Sequence, residues 1–412
     1  MGIKRTYLVN ATVITPHRIM PDSAICIEDG RIVDLVRTES LDTVELLRAG
    51  CSVVDAGGAY AAPGFIDIHV HGGGGADAMD GTPEAFLTMA AVHARGGTTA
   101  MVPSTLTSRD GDLARALAAF DEALGMQSTG AVLLGVHLEG PYLAQSQRGA
   151  QDPAYIRNPG RDHYHGLLGL SKNIIRVSAA PELPGALELG RELRSRGILA
   201  SIAHTDATYE QVLVAMEAGF SHMTHLYSGM SGVHRVRAYR VAGAVEAGLL
   251  LDDLTVEVIA DGRHLPAALL RLIYKCKGPE RIALCTDAIR AAGMPDGEYI
   301  MGSASHGRPI IVDEGVAWLP DRPAFAGSVA QTNWLVRNMV SLAGASLSDA
   351  VKMASLTPAR ILGIDSIKGS IDRGKDADIV VFDDEINIRL TMVNGSIVYE
   401  ALQRDDSDER SV

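Results

Sequence analysis

The chain is poor in aromatic residues and cysteine, and it has no excess of positive charge. Aromatic residues make up 5% of its 412 residues, yet hydrophobic residues reach 47%, so a sizeable core can be buried, and the 43 glycines suit a fold with many tight turns. The four cysteines, Cys26, Cys51, Cys276 and Cys285, include no C-x-x-C pair, which argues against a disulfide framework. The formal net charge of −13 argues against nucleic acid or an anionic membrane as a partner.

Long apolar runs are also lacking. No run approaches the roughly 20 residues that a membrane-spanning helix needs. Residues 1–5 lead directly into an alternating strand pattern, without the apolar core of a signal peptide. These features, together with the scattered cysteines, predict a soluble protein of the reducing cytoplasm.

The two ends of the chain have the same character. Short strands flank a Glu28-Asp29-Gly30 turn near the beginning and an Asn394-Gly395 turn near the end. Neither end can close a sheet by itself, so we expect residues 1–60 and 366–412 to form one small β-sandwich domain. Within it, the acidic stretch from Asp405 to Glu409 is expected to be frayed.

Residues 61–365 alternate apolar strands with helical periods, which predicts an α/β fold: a (β/α)8 TIM-like barrel. An open doubly wound sheet is the alternative, but its G-x-G-x-x-G fingerprint is missing, because Gly72–Gly75 lead into no helix start of that form. The eight strands are expected at 62–70, 97–103, 131–138, 174–180, 198–204, 221–227, 254–260 and 281–286.

Residues of the kind that bind metals stand at six of the predicted strand ends, where a barrel places its active site. The first strand ends in His69-Val70-His71, and the spacing of two directs both imidazoles to the same side. Imidazoles combined with carboxylates are what a Zn²⁺ or Fe²⁺ hydrolytic site requires, because such a metal lowers the pKa of bound water to about 7. The other strand ends carry Glu139, His204, His225, His264 and Asp287.

Several neighbouring polar residues have a structural interpretation instead. His137 and His222 lie deeper in their strands and are expected to be packed core residues. Asp67, Asp206 and Glu182 are expected to brace the site by accepting hydrogen bonds rather than to bind metal.

The chain resembles the N-acetylglucosamine-6-phosphate deacetylase family of the amidohydrolase superfamily, over nearly its whole length. The most specific shared motif is His137-Leu138-Glu139-Gly140-Pro141. Others are Pro63-Gly64-Phe65-Ile66-Asp67, Thr224-His225-Leu226, Ala260-Asp261-Gly262, Thr286-Asp287-Ala288, Ala326-Gly327-Ser328, Thr357-Pro358-Ala359-Arg360 and Gly374-Lys375-Asp376-Ala377-Asp378.

The resemblance implies one or two divalent metal ions per chain, zinc first and iron as the alternative. It makes Glu139, His204 and His225 the core ligands, and His69 and His71 the ligands of a second metal. Many barrel relatives bridge two metals with a carbamylated lysine at the end of the fourth strand. No lysine stands there in this chain, so Glu139 is the candidate bridge.

The remaining implied roles concern catalysis and the substrate. Asp287 matches the catalytic carboxylate, which can also ligate metal, and His264 matches a histidine that contacts the substrate. Arg237 matches an arginine that binds phosphate across a homodimer interface, although Arg235 and Arg240 are close neighbours. The other implied substrate-binding residues are Ala150, Gln151, Ser228, Gly229 and Gly327.

Three departures from the family pattern lie on the substrate side. Ser228-Gly229 stands where an Asn-Ala pair is usual, Gln151 where many members have a histidine, and Arg263 where an apolar residue is more common. The predicted reaction is removal of the acetyl group from N-acetylglucosamine-6-phosphate. The alternatives are N-acetylgalactosamine-6-phosphate, an unphosphorylated sugar, an N-acyl amino acid, a cyclic amide, or a barrel without catalytic activity.

Overall fold

The computed structural model describes residues 4–321 and 324–401. Its centre is a barrel of parallel strands that follow one another around the barrel in chain order. The backbone closes the barrel, because Asp287 N donates to His69 O at 2.9 Å beside a bridge between Val70 and Ala288. Barrel strands 1 to 8 are Phe65–Val70, Thr98–Thr105, the two pieces Val132–Leu133 and Val136–Glu139, Ile174–Ala179, Leu199–Ile202, Phe220–Met223, Thr255–Val258 and Ile282–Leu284.

This arrangement confirms the predicted α/β barrel, with a difference at three strand ends. Strands 5, 6 and 8 end before His204, His225 and Asp287, which the sequence analysis had placed at or within those ends. Each of the three residues has a positive φ, of 45°, 31° and 47°, which a strand cannot accommodate. The three side chains therefore lie on sharp turns just beyond the strands.

Helices surround the barrel and begin where the sequence supplies caps. The helix Pro83–Arg95 starts with a proline after Thr82, whose hydroxyl accepts from Ala85 N. Among the described residues no helix is long and apolar enough to cross a membrane. The other helices of the barrel domain are Asp110–Met126, Arg161–Leu168, Ala186–Ser195, Tyr209–Ala218, Ala244–Leu250, Ala267–Lys277, Thr332–Asn338, Leu347–Ala354 and Leu356–Ile361.

The two chain ends form one small β domain, as expected. The strand Tyr60–Pro63 joins them, since it pairs in parallel with Arg5–Ile14 and antiparallel with Ile379–Phe382. The resulting eight-stranded sheet encloses its own apolar core, separate from that of the barrel. Its other strands are Ile19–Glu28, Arg31–Arg37, Ser52–Asp55, Ile388–Val393 and Ser396–Glu400, and it also carries the helix Thr43–Arg48. The exact domain boundaries stay a prediction, and residues 405–409 lie outside the described residues.

Two of the additions to the barrel, neither of them predicted, follow strands 6 and 8. A hairpin of His234–Val236 and Tyr239–Val241 follows strand 6, with Arg237 in its turn. A three-stranded antiparallel sheet of Gly297–Met301, Arg308–Asp313 and Val316–Trp318 follows strand 8. Both lie in connections that leave the carboxyl end of the barrel, where they can shape an active site.

Candidate metal centre and active site

The residues predicted to bind metal converge at the carboxyl end of the barrel. Glu139 Oε1 lies 3.2 Å from His204 Nε2, 3.0 Å from His225 Nε2 and 3.7 Å from His69 Nε2. Its other oxygen, Oε2, lies 3.3 Å from His71 Nε2. Glu139 therefore stands between all four imidazoles, as the bridging role requires.

Asp287 completes the cluster on the side of strand 1. Its Oδ1 lies 3.1 Å from His71 Nε2 and 3.5 Å from His69 Nε2. Ligand atoms of His69, Glu139 and His225 lie within 4.8 Å of one another, and so do those of His69, His71 and Asp287. Nitrogen and carboxylate oxygen at this spacing fit one or two divalent transition-metal ions.

Three of the four imidazoles are held at Nδ1, which leaves Nε2 directed at Glu139. His204 Nδ1 donates to the carbonyl of Gln147 at 2.7 Å, and His71 Nδ1 to that of Ser104 at 3.2 Å. His69 Nδ1 instead meets the carboxylate of Glu257 at 2.7 Å. In each of these three rings, the partner at Nδ1 favours the tautomer that leaves Nε2 free to bind a metal.

Electrostatics keep the central carboxylate ionised. Burial disfavours the charged form of Glu139, but the nearby imidazole of His69 and the side-chain contacts with His204 and His225 outweigh it and hold the pKa of Glu139 well below its usual range. The amide of Gln151 also donates to Glu139 Oε2 at 2.5 Å. Gln151 thus touches the centre itself, as well as standing where the resemblance placed a substrate residue.

His137, His222 and Asp67 have the structural surroundings expected of them. His137 lies between the hydroxyls of Ser104, at 2.9 Å, and Ser178, at 2.7 Å. His222 Nδ1 bonds to the hydroxyl of Thr255. Asp67 accepts from His69 N and from Thr286, and burial raises its pKa to about 6.

Two charged residues of the site were missed by the sequence analysis. Glu257 and Arg176 are fully buried inside the barrel and form an ion pair of 2.7 Å. Each stands between two apolar residues of a predicted strand, in Val256-Glu257-Val258 and Ile175-Arg176-Val177. This signal could have identified them, because a lone charge in a barrel strand must find a partner in the interior.

A cavity of about 240 Å³ opens over the cluster. His264 lines it, and Asp261 holds this ring through a 2.8 Å contact with Nδ1, which leaves Nε2 for a ligand. Leu106, Ile289, Met301 and Phe325 form an apolar part of the wall. The predicted substrate residues that also line this cavity are Ala150, Gln151, Ser228, Gly229 and Gly327.

Arg237 is the predicted substrate-binding residue that does not line this cavity. It lies in the turn of the hairpin, exposed to solvent and with a φ of +56°. Its predicted contact with phosphate across a dimer interface stays a prediction.

Two positions in the cavity wall require glycine, because a side chain there would lie too close to neighbouring atoms. A Cβ on Gly327, at φ +65°, would lie 2.7 Å from the carbonyl oxygen of Asp287. A Cβ on Gly229, at φ +58°, would lie 2.7 Å from both Gln147 O and His204 Nδ1. The alanine that is usual in the family at position 229 would therefore require a different backbone here.

A closed parallel barrel with imidazoles and carboxylates gathered at its carboxyl end defines the class of barrel hydrolases that work with divalent metal ions. The chain matches the amidohydrolase family over residues 60–398. It belongs to the amidohydrolase family.

Two relatives indicate which branch of the amidohydrolase family the chain resembles. The chain is 37% identical over 340 residues to the N-acetylglucosamine-6-phosphate deacetylase of Vibrio furnissii, covering 82% of this chain and 83% of that protein. It is 36% identical over 350 residues to the N-acetylgalactosamine-6-phosphate deacetylase of Escherichia coli O157:H7, covering 84% and 89%. The resemblance found in the sequence is thereby confirmed.

Solved structures agree with the sequence relatives. A mutant N-acetyl-D-glucosamine-6-phosphate deacetylase from Mycobacterium smegmatis, in complex with N-acetyl-D-glucosamine-6-phosphate, superimposes with a TM-score of 0.87 at 31% identity. The match covers 96% of this chain and 99% of that one, so it includes both the barrel and the small β domain.

Proposed function

We propose that this chain hydrolyses the N-acetyl group of N-acetylglucosamine-6-phosphate, consuming water and releasing acetate and glucosamine-6-phosphate. The observation that carries the proposal is the cluster of four imidazoles and two carboxylates, Glu139 and Asp287, at the cavity, whose lining includes both carboxylates and three of the imidazoles. The names of the relatives and the sugar phosphate bound to the mycobacterial enzyme support the substrate.

In this proposal Glu139, His204 and His225 would hold one divalent cation, and His69 and His71, with Glu139, would hold a second. Zinc by preference, or iron as the alternative, would supply Lewis acidity for the acetyl carbonyl and would lower the pKa of the attacking water. The cavity lining contains no lysine or arginine among the described residues, so no protein cation competes for the two carboxylates there.

Asp287 moves the proton. It accepts a proton from the attacking water and later delivers it to the sugar nitrogen. This second transfer is necessary because an amine cannot leave as an anion near neutral pH. His264, held by Asp261, contacts the substrate and stabilises the negative charge that develops on the acetyl oxygen.

The phosphate is bound by the hairpin of a second copy, which makes the active form a homodimer. The hairpin places Arg235 directly opposite Arg240, with Arg237 in the turn between them. Like charges in opposite positions repel each other, so an anion beside them relieves the repulsion. Val236 and Tyr239 on the same hairpin are 53% and 78% exposed, as expected for side chains that pack on a partner.

The cytoplasm is the proposed location, because all four cysteines are free. N-acetylgalactosamine-6-phosphate is the second candidate substrate, favoured by the relative from Escherichia coli O157:H7. The sugars differ in the configuration of one hydroxyl, and the departure at Ser228-Gly229 lies on the substrate side.

The decisive experiment measures kcat/KM for both sugar phosphates, for unphosphorylated N-acetylglucosamine and for N-acyl amino acids, on protein of measured metal content. We expect N-acetylglucosamine-6-phosphate to be the best substrate, with one to two equivalents of metal. A preference for an N-acyl amino acid, or full activity after metal removal by a chelator, would contradict the proposal.

A further inference from the structure

The carboxylate of Glu257 lies between the candidate metal centre and the interior of the barrel. Its two oxygens make contacts on opposite sides. Oε1 faces the centre, where it meets His69 Nδ1 at 2.7 Å and accepts from the backbone N of His225 at 3.2 Å. Oε2 faces away from the centre, toward Arg176 Nη1 at 2.7 Å and His222 Nε2 at 3.3 Å. One buried carboxylate therefore contacts two of the predicted metal ligands.

Arg176 holds the Glu257 carboxylate in this orientation from the interior of the barrel. It is the largest fully buried side chain among the described residues. Besides Glu257, its guanidinium donates to Ile68 O, Ser201 Oγ and Thr224 Oγ1, at 2.8 to 3.0 Å. Barrel strands 1, 4, 5 and 7 and the end of strand 6 thus converge on one ion pair, and Glu257 cannot turn away from His69 without leaving Arg176 unpaired.

His69 differs from the other imidazoles in what lies behind it. The Nδ1 atoms of His71 and His204 meet neutral backbone carbonyls, whereas Nδ1 of His69 meets a carboxylate. An ionised carboxylate only accepts hydrogen bonds, so the proton of His69 must be on Nδ1, and Nε2 keeps the lone pair that a metal needs.

We infer that Glu257, oriented by Arg176, is a positioning residue: it holds His69 in the tautomer that binds metal and so sets the affinity of the His69–His71 side of the centre. The inference rests on the metal site of the proposed function. It concerns a property of the metal-free protein, however, which can be measured without substrate.

The substitution Glu257→Gln tests the inference, because an amide has only one oxygen. Arg176 is a permanent cation and takes that oxygen. The amide NH2 then faces His69 Nδ1, which can only accept, and the proton of His69 must move to Nε2. The double variant Arg176→Met with Glu257→Gln frees the amide oxygen to turn back toward His69, and it also removes the unpaired buried charge.

The tautomer is read from nitrogen–proton correlation spectra of the imidazoles in metal-free protein, with the His69 signals assigned from a His69→Asn variant. We expect Nδ1–H in the wild type, Nε2–H in Glu257→Gln, and Nδ1–H again in the double variant. His222→Gln is the matched control, since it changes another partner of the same carboxylate and should leave His69 unchanged.

Metal affinity, measured by competition with a chromogenic chelator, gives the second readout. Loss of an outer partner of a metal ligand typically weakens binding by about 10- to 100-fold. We expect such a loss for one binding step in Glu257→Gln and its recovery in the double variant. An unchanged tautomer and affinity in Glu257→Gln would overturn the inference, and so would a double variant as impaired as the single one. Wild-type protein that binds no metal would instead refute the proposed metal site, while the tautomer result would stand.

Discussion

At the scale of single residues, the site depends on a few side chains whose positions are set by turns rather than by strands. His204, His225 and Asp287 all adopt positive φ values just beyond barrel strands 5, 6 and 8. Such conformations are costly for residues other than glycine and persist where the surroundings enforce them, which is common at functional sites. These unfavourable backbone conformations direct the three side chains toward a common centre.

Asp287→Asn should abolish turnover while the fold remains intact. The amide cannot accept the proton from water, and general acid–base groups typically contribute about 10²- to 10⁴-fold to the rate. The measurement is kcat on N-acetylglucosamine-6-phosphate, together with metal content, because Asp287 also lies beside His71. Asp349→Asn, on a helix away from the cavity, makes the same chemical change and should retain full activity. A kcat for Asp287→Asn within about tenfold of wild type would place the base elsewhere.

The convergence of the candidate metal ligands could be predicted because their signals are local in sequence. The spacing of His69 and His71 and the recurrence of ligand-type residues at strand ends need only the assumption of a barrel. Glu257 and Arg176 could not be assigned a role in the same way, because their partners lie on other strands. A partnership across the barrel interior depends on strand register, which one sequence does not specify.

At the scale of elements, the turn after strand 8 is held by the segment that contains Gly327. Ser328 N donates to Asp287 O, and Ile289 N donates to Ser328 O. Gly327 lets the two segments touch, so the segment holds the backbone of Asp287 in place. The sequence analysis recognised the Ala326-Gly327-Ser328 motif but could not show what it contacts.

Gly327→Ala should displace Asp287, and Gly344→Ala is its matched control. Both glycines have left-handed backbones, with φ values of +65° and +74°, so alanine costs each site about 1–2 kcal/mol in conformational energy. Only at position 327 does the new methyl also meet the backbone of Asp287, whereas nothing lies within 4 Å at position 344. We expect similar losses of backbone stability but a fall in kcat of about 100-fold for Gly327→Ala alone. Equal activities in the two variants would show that Asp287 tolerates the contact.

At the scale of the whole molecule, the exposed hairpin around Arg237 is the surface that we propose contacts a second copy of the chain. Its three arginines stand out in a chain of net charge −13. The cavity lining has no arginine among the described residues, so an arginine that binds a substrate phosphate must reach in from outside this lining. The role of Arg237 is implied by the family resemblance and stays a prediction.

Arg237→Ala should lower kcat/KM for the phosphorylated sugar by about 10- to 150-fold, which corresponds to roughly 1.5–3 kcal/mol for a charge-assisted hydrogen bond. The same variant should affect unphosphorylated N-acetylglucosamine little, since no phosphate contact is lost. Kinetics on the two sugars, with Arg235→Ala and Arg240→Ala in parallel, identify the arginine responsible. Equal losses on both sugars would mark Arg237 as structural.

Mixed dimers test whether the arginine acts on the neighbouring site. Neither an Arg237→Ala chain nor an Asp287→Asn chain has a complete site when paired with itself. A mixed dimer contains one site with both Asp287 and the partner's intact hairpin, so some activity on the phosphorylated sugar should return. No recovery, despite exchange of subunits shown by differently tagged chains, would contradict the contact in trans.

The strand Tyr60–Pro63 also has a consequence for synthesis on the ribosome. It lies directly before barrel strand 1, and one of its neighbours is Ile379–Phe382, which is translated only after the entire barrel. The nascent chain therefore carries an open sheet edge next to the strand that contains His69 and leads into His71, until the last strands emerge. Translation that stops before Ile379 leaves this edge exposed, so the final part of the chain completes the sheet beside the two earliest candidate metal ligands.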